Sequence, residues 1–123
     1  MSYNITRCKL SRVDDFQIPI NMFYPKTVNK SYHPYQDIND EGKTIFQFTD
    51  CHNLVGIVDE EGFLHVEKFD ISGEGSGRVY FDIISPALKQ SKGNIEYVLV
   101  WEGGDEIDSV VVKDGVISEN SLI

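Results

Sequence analysis

The sequence predicts a mainly β domain: an antiparallel sandwich, half-open barrel or meander of about seven to nine short strands with one or two short helices. Three observations predict it. From Lys43 onward the apolar residues fall into short β-branched and aromatic runs. Glycine, aspartate and asparagine separate these runs at close spacing, and long amphipathic helical stripes are scarce. A chain of 123 residues is the size of one domain and can bury a core without disulfide or metal staples, so 1–123 is taken as a single unit.

At the start, "MSYNITRCKL" lacks the apolar centre of a signal peptide. The longest apolar runs, such as 97–101, are much shorter than a membrane span. A cytoplasmic protein with no membrane partner is therefore expected. In "SRVDDF", Ser11 followed three residues on by Asp14, with Pro19 beyond, predicts a short first helix. Residues 21–42 show neither the helical nor the strand period and are read as one long irregular loop. Basic and aromatic side chains interleave there: Phe23, Tyr24, Lys26, Lys30, Tyr32, His33 and Tyr35.

"TIFQFTD" alternates, with Thr44, Phe46 and Phe48 on one face and Ile45, Gln47 and Thr49 on the other. "LVGIVDEEGFLHVEKFDI" predicts a hairpin turning at 59–62, where Gly62 supplies the positive φ that a tight turn needs. A glycine-rich loop, 73–77, leads into "GRVYFDII", read as a further strand. In "SPALKQSKG", Ser85 as cap, Pro86 at the first helical position and Gly93 at the exit predict a helix of about two turns. "NIEYVLVWE", "IDSVVVK" and "GVIS" then read as a meander turning at Gly103–Gly104 and Asp114–Gly115. Both faces of 95–102 are apolar, the pattern of a central strand covered on both sides.

The net charge of −9 is unevenly spread. Residues 1–35 set Arg7, Lys9, Arg12, Lys26 and Lys30 against Asp14 and Asp15, a net +3; the rest sets six basic residues against eighteen acids, a net −12. Such an acidic body repels nucleic-acid phosphates and anionic membranes, and it speeds encounter with basic partners. No direct nucleic-acid contact is expected of it, although the aromatic and basic stretch 23–35 has the composition of a single-strand platform. Core wrapping by its tyrosines, or contact with a partner or a second copy, fits the acidic body better.

Several chemistries fail on spacing. The acids of "WEGGDEIDSVVVKDG" do not follow the alternate-oxygen pattern of a calcium loop. Cys8, Cys51 and three histidines lack zinc spacings, and the two thiols are expected to be reduced and structural. In "DCH", Cys51 and His52 are neighbours on an extended segment and point apart. "GEGSGR" has neither the lysine of a phosphate loop nor the spacing of a dinucleotide loop. No catalytic residue, metal or cofactor is expected.

The acids left over are Glu102, Asp105, Glu106 and Asp108 at one hairpin tip, with Asp59, Glu60 and Glu61 at another. They suit a small acidic inhibitor, of immunity-protein or antitoxin type, that occludes a basic toxin or nuclease by charge complementarity. Trp101, Tyr32 and Tyr35 would serve as apolar anchors where exposed. A phage-type mimic of nucleic-acid charge, acting on a defence nuclease, is a variant. A ligand-binding barrel or small enzyme with Tyr97, Trp101, His65 and Glu67 around a pocket is the rival reading.

Overall fold

The computed structural model describes residues 4–24, 35–49, 52–104 and 106–122. The elements are β1 (Ile5–Pro19), a 3-10 turn (Ile20–Phe23), β2 (Tyr35–Ile38), β3 (Thr44–Thr49), β4 (His52–Val58) and β5 (Phe63–Ile71). A helical segment follows, made of α1 (Ser76–Val79), a π-helical stretch (Tyr80–Ile84) and α2 (Ser85–Leu88); then come β6 (Lys92–Trp101), β7 (Ile107–Lys113) and β8 (Val116–Ser121). The strands form one antiparallel eight-stranded sheet, not closed into a barrel, in the order β2-β3-β4-β5-β1-β6-β7-β8. This is the mainly β meander class that the strand runs predict.

The first strand in sequence lies in the middle of the sheet. β1 pairs along its length with β6, from Ile5 opposite Trp101 to Gln17 opposite Lys92, and with β5 through Gln17, Ile18 and Pro19. The expected helix at "SRVDDF" is therefore strand: Ser11 Oγ donates to the carbonyl of Glu96 rather than capping a helix. Pairing with β6 through Arg12, Val13 and Asp14 outweighs the local capping pattern. Register shifts between Leu10 and Arg12 and between Asp14 and Gln17 absorb the extra residues, with Asp15 at φ 50°.

Alternation assigns the two faces. Phe46, Leu54, Leu64, Ile18, Tyr97 and Val110 point to one side and are buried there. The helical segment covers that side with Val79, Tyr80, Ile83, Ile84, Ala87 and Leu88. Those six positions explain why "GRVYFDII" is helix and not strand. They recur in pairs every four residues, a stripe slightly slower than the α-helical 3.6, which one wider turn keeps facing the sheet. Pro86 contributes to the same turn, since it has no N–H for the carbonyl four residues back. The Ser85 N–H accordingly bonds to the Tyr80 carbonyl, five residues back. Ser85 thus continues a helix rather than capping one, and Gly93 belongs to β6 instead of a helix exit.

The expected covering of both faces of β6 is also corrected. Ile95, Tyr97, Leu99 and Trp101 are buried inward, whereas Val98 and Val100 face outward, half-exposed, opposite Lys9 and Arg7. Of the stretch 21–42, Tyr35–Ile38 is an edge strand on β3, and Ile20–Phe23 turns so that Phe23 packs on Phe46 and Phe48. Residues 25–34, Tyr32 and His33 among them, lie outside the described residues. Among those described, no helix is long and apolar enough to cross a membrane.

Two glycines with similar backbones test the packing at β1. Gly93 has φ +77°, and a Cβ there would stand 1.9 Å from the Asp15 carbonyl oxygen; Gly62 has φ +87° with nothing within 4 Å. Gly62→Ala is expected to cost about 1–2 kcal/mol for the left-handed backbone alone. Gly93→Ala adds about 1–3 kcal/mol for the clash. Urea unfolding of the two variants checks this, and equal midpoints would contradict the close approach of β1 to β6.

Candidate functional site

A concave site opens where the β6–β7 turn, β8 and the π-helical stretch meet. A cavity of about 380 Å³ is lined by Phe81, Leu99, Trp101, Glu106, Asp108 and Glu119. Register brings these residues together. Leu99 lies opposite Asp108 on the inner face, and Val110, on the same face of β7, lies opposite Glu119 of β8. Glu106 enters through the turn, where its carbonyl accepts the Trp101 N–H at 3.0 Å.

The floor is aromatic. Phe81 is stacked on Trp101, with planes 8° apart and centroids 5.5 Å apart, yet 57% of Phe81 is exposed. Phe81 therefore leaves apolar ring surface open to solvent beside the acids. The Trp101 indole N–H donates to Asp108 Oδ2 at 2.9 Å and fixes that carboxylate. Beneath lie the buried hydroxyls of Tyr80 and Tyr97, 2.6 Å apart. Burial, the largest cause, pushes both tyrosines above their ordinary range; the acidic fields of Glu119 and, for Tyr80, Asp108 add to it. The pair is a neutral support.

The rim carries three acids, Glu106, Asp108 and Glu119. Among the described residues, no ion pair joins Glu106, Asp108 or Glu119 to a lysine or arginine; the ion pairs are Arg12 with Asp14 and Glu96, Lys43 with Glu67, and His65 with Asp59 and Asp15. Three carboxylates on a half-apolar concavity focus negative potential. The arrangement can hold a cation that also presents apolar or π surface.

The sequence-predicted residues separate into two groups. Glu106 and Asp108 line the cavity; Glu102 is exposed on the turn, its N–H bonded to the Asn4 carbonyl, and does not line it. Asp105 lies outside the described residues, as do Tyr32 and Cys51. Trp101 is 6% exposed, so it serves as floor and not as a protruding anchor. Tyr35 is 65% exposed on edge strand β2, away from the cavity. The turn carrying Asp59, Glu60 and Glu61 adjoins Pro19, the other end of β1 from the Trp101 turn. The two acidic tips are thus roughly 40–50 Å of strand apart and do not share one surface.

Asp59 is also occupied. Its Oδ1 accepts the N–H groups of Glu61 and Phe63, and Oδ2 lies 2.8 Å from His65 Nε2. The Phe63 N–H, then His65, hold its carboxyl below the usual range. His65 and Glu67 point outward, Glu67 to Lys43 Nζ at 2.8 Å, while Tyr97 and Trp101 point inward. The four residues of the rival pocket do not converge. Cys8 is free and half-buried, and burial pushes its thiol up to about 11, so it stays protonated at neutral pH. Among the described residues no group of three or more His, Cys, Asp or Glu is arranged to hold a metal ion.

Sequence reading missed Phe81 and Glu119. Phe81 was hidden by the strand assignment of "GRVYFDII", although the four-residue pairing of its apolar neighbours marks it as the outward position of a helix. Glu119 lies beyond "GVIS" and gains meaning only from the β7–β8 register. No protein-family model, curated protein or solved structure matches the chain.

Two measurements probe these supports. Tyr80→Phe or Tyr97→Phe alone leaves one buried hydroxyl unpaired and is expected to cost about 1–3 kcal/mol. The double variant should cost clearly less than the two added together, and strict additivity in denaturant melts would refute the pair. For Asp59, the folded-state shift is downward, so the stability it contributes is present above its ordinary value of 3.8 and is lost as pH falls through the lower folded value. Asp59→Asn should flatten the acid limb of the stability curve below about pH 4, read from urea melts across pH.

Proposed function

We propose that this chain is a non-catalytic binding protein that occludes a basic protein partner, in the manner of an immunity protein or antitoxin acting on a basic toxin or nuclease. The observation that carries the reading is the acidic rim around an aromatic floor, at Glu106, Asp108, Glu119, Phe81 and Trp101, with no ion pair to the rim among the described residues. A net charge of −9 supports it, because long-range attraction raises the encounter rate with a basic surface and the rim then fixes register. Mimicry of nucleic-acid charge has less support, since the acidic tips stand at opposite ends of β1 and do not run along one surface. A small organic cation is the second reading, favoured by the cavity volume of about 380 Å³, at the low end for small-molecule sites.

The test is affinity capture from nuclease-treated source lysate with salt-gradient elution, repeated with Glu106→Lys and Glu119→Lys. A basic protein held stoichiometrically by the parent and eluted by salt is expected. Each reversal should weaken it by at least about 2 kcal/mol, roughly thirtyfold in Kd. Unchanged affinity of both variants across the salt series would refute the acidic contact.

A further inference from the structure

Taking the acidic cup as the contact with a basic partner, we infer that it receives an arginine side chain in preference to lysine. The walls select for flatness. Phe81 and Trp101 present nearly parallel rings, and the more exposed of them, Phe81, offers an open π face. A guanidinium is planar and weakly hydrated, so it stacks on such a face at little cost; an ammonium is compact, strongly hydrated, and loses more on leaving water for a wall of Phe81, Leu99 and Trp101.

The rim selects for a fork of donors. Asp108 is oriented by the indole N–H on Oδ2, so its carboxylate is held in a fixed direction at the cavity wall. Glu106 stands in the turn just before β7 and Glu119 within β8, so the acceptors come from separate segments. Five N–H donors in one plane can serve three carboxylates set apart in this way, whereas three ammonium donors clustered on one atom serve them less completely. Charge alone would admit either residue; the stacked floor and divided rim favour arginine.

Trp101 is the chain's single tryptophan and forms part of the cup, so its emission reports occupancy directly. The probes are capped Gly-Arg-Gly, Gly-Lys-Gly and Gly-citrulline-Gly peptides and spermidine, titrated to millimolar concentration with circular dichroism to confirm that the fold persists. Saturable change with the arginine peptide is expected, with about tenfold weaker response to lysine and none to neutral citrulline. Phe81→Leu and Glu119→Gln, both substitutions at exposed positions, should each weaken the arginine response several-fold. Equal binding of the lysine and arginine peptides would overturn the arginine assignment while leaving the acidic contact standing. Binding of citrulline as tightly as arginine, tighter binding of spermidine than of any peptide, or no response to arginine would each overturn the inference. The charge-reversal capture judges the partner reading separately.

Discussion

The pairing of β1 between β5 and β6 is the constraint on which the rest of this structure depends. Two meanders, β2–β5 and β6–β8, are each local in sequence, and only the first strand joins them into one sheet. Its consequences reach the candidate site. Ile5 opposite Trp101 sets where β6 ends, and the Glu102 N–H to Asn4 carbonyl bond anchors the turn that carries Glu106. At the same end, Ser76 Oγ and the Ile5 backbone hydrogen-bond, which sets where the helical segment begins and hence where Phe81 stands. Because Ile5 and Trp101 are far apart in sequence, this closure is non-local. The chain belongs with slow-folding β topologies, in which loop-closure entropy is spent before the central ladder forms.

The helical segment answers a second need. A sheet with one apolar face must have that face covered, and thirteen residues of helix cover the inner side of the β5, β1 and β6 region. The π-helical stretch keeps a four-residue repeat directed inward, and it also places Phe81 outward next to Trp101. The same widening that serves the core therefore presents the aromatic wall of the cup. Single π turns inside α-helices recur at functional sites because they re-aim a side chain in this way.

Legibility in the sequence followed how local the decisive interactions were. The β4–β5 hairpin and the Asp114–Gly115 turn were readable, since their turn residues specify the geometry within four positions. The alternation of Thr44, Phe46 and Phe48 gave the correct inner face. Two elements were misread where tertiary pairing outweighed propensity. β1 carries a capping pattern that pairing with β6 overrides, and "RVYFDII" is rich in strand-forming residues but is helical because its stripe fits the sheet. At the site, Glu106 and Asp108 were legible as acids at a turn. Their convergence with Glu119 and Phe81 was not, because it arises from the β7–β8 register and from a helix the local pattern concealed.

The two acidic turns show why composition alone does not identify a site. "DEEG" and "WEGGDEID" look alike as charged hairpin tips. At the first, Asp59 accepts two backbone N–H groups and faces His65, so its charge is spent within the fold. At the second, Asp108 takes a single indole N–H, and Glu106 and Glu119 have no ion-pair partner among the described residues. Like charges gathered on a half-apolar concavity oppose folding, and a fold keeps such an arrangement at a cost in stability. Satisfied acids account for a turn; acids with no ion-pair partner among the described residues, beside an exposed aromatic ring, are what the proposed contact with a cation rests on. The partners of Asp59 and Asp108, rather than the number of carboxylates, distinguish the two ends of β1.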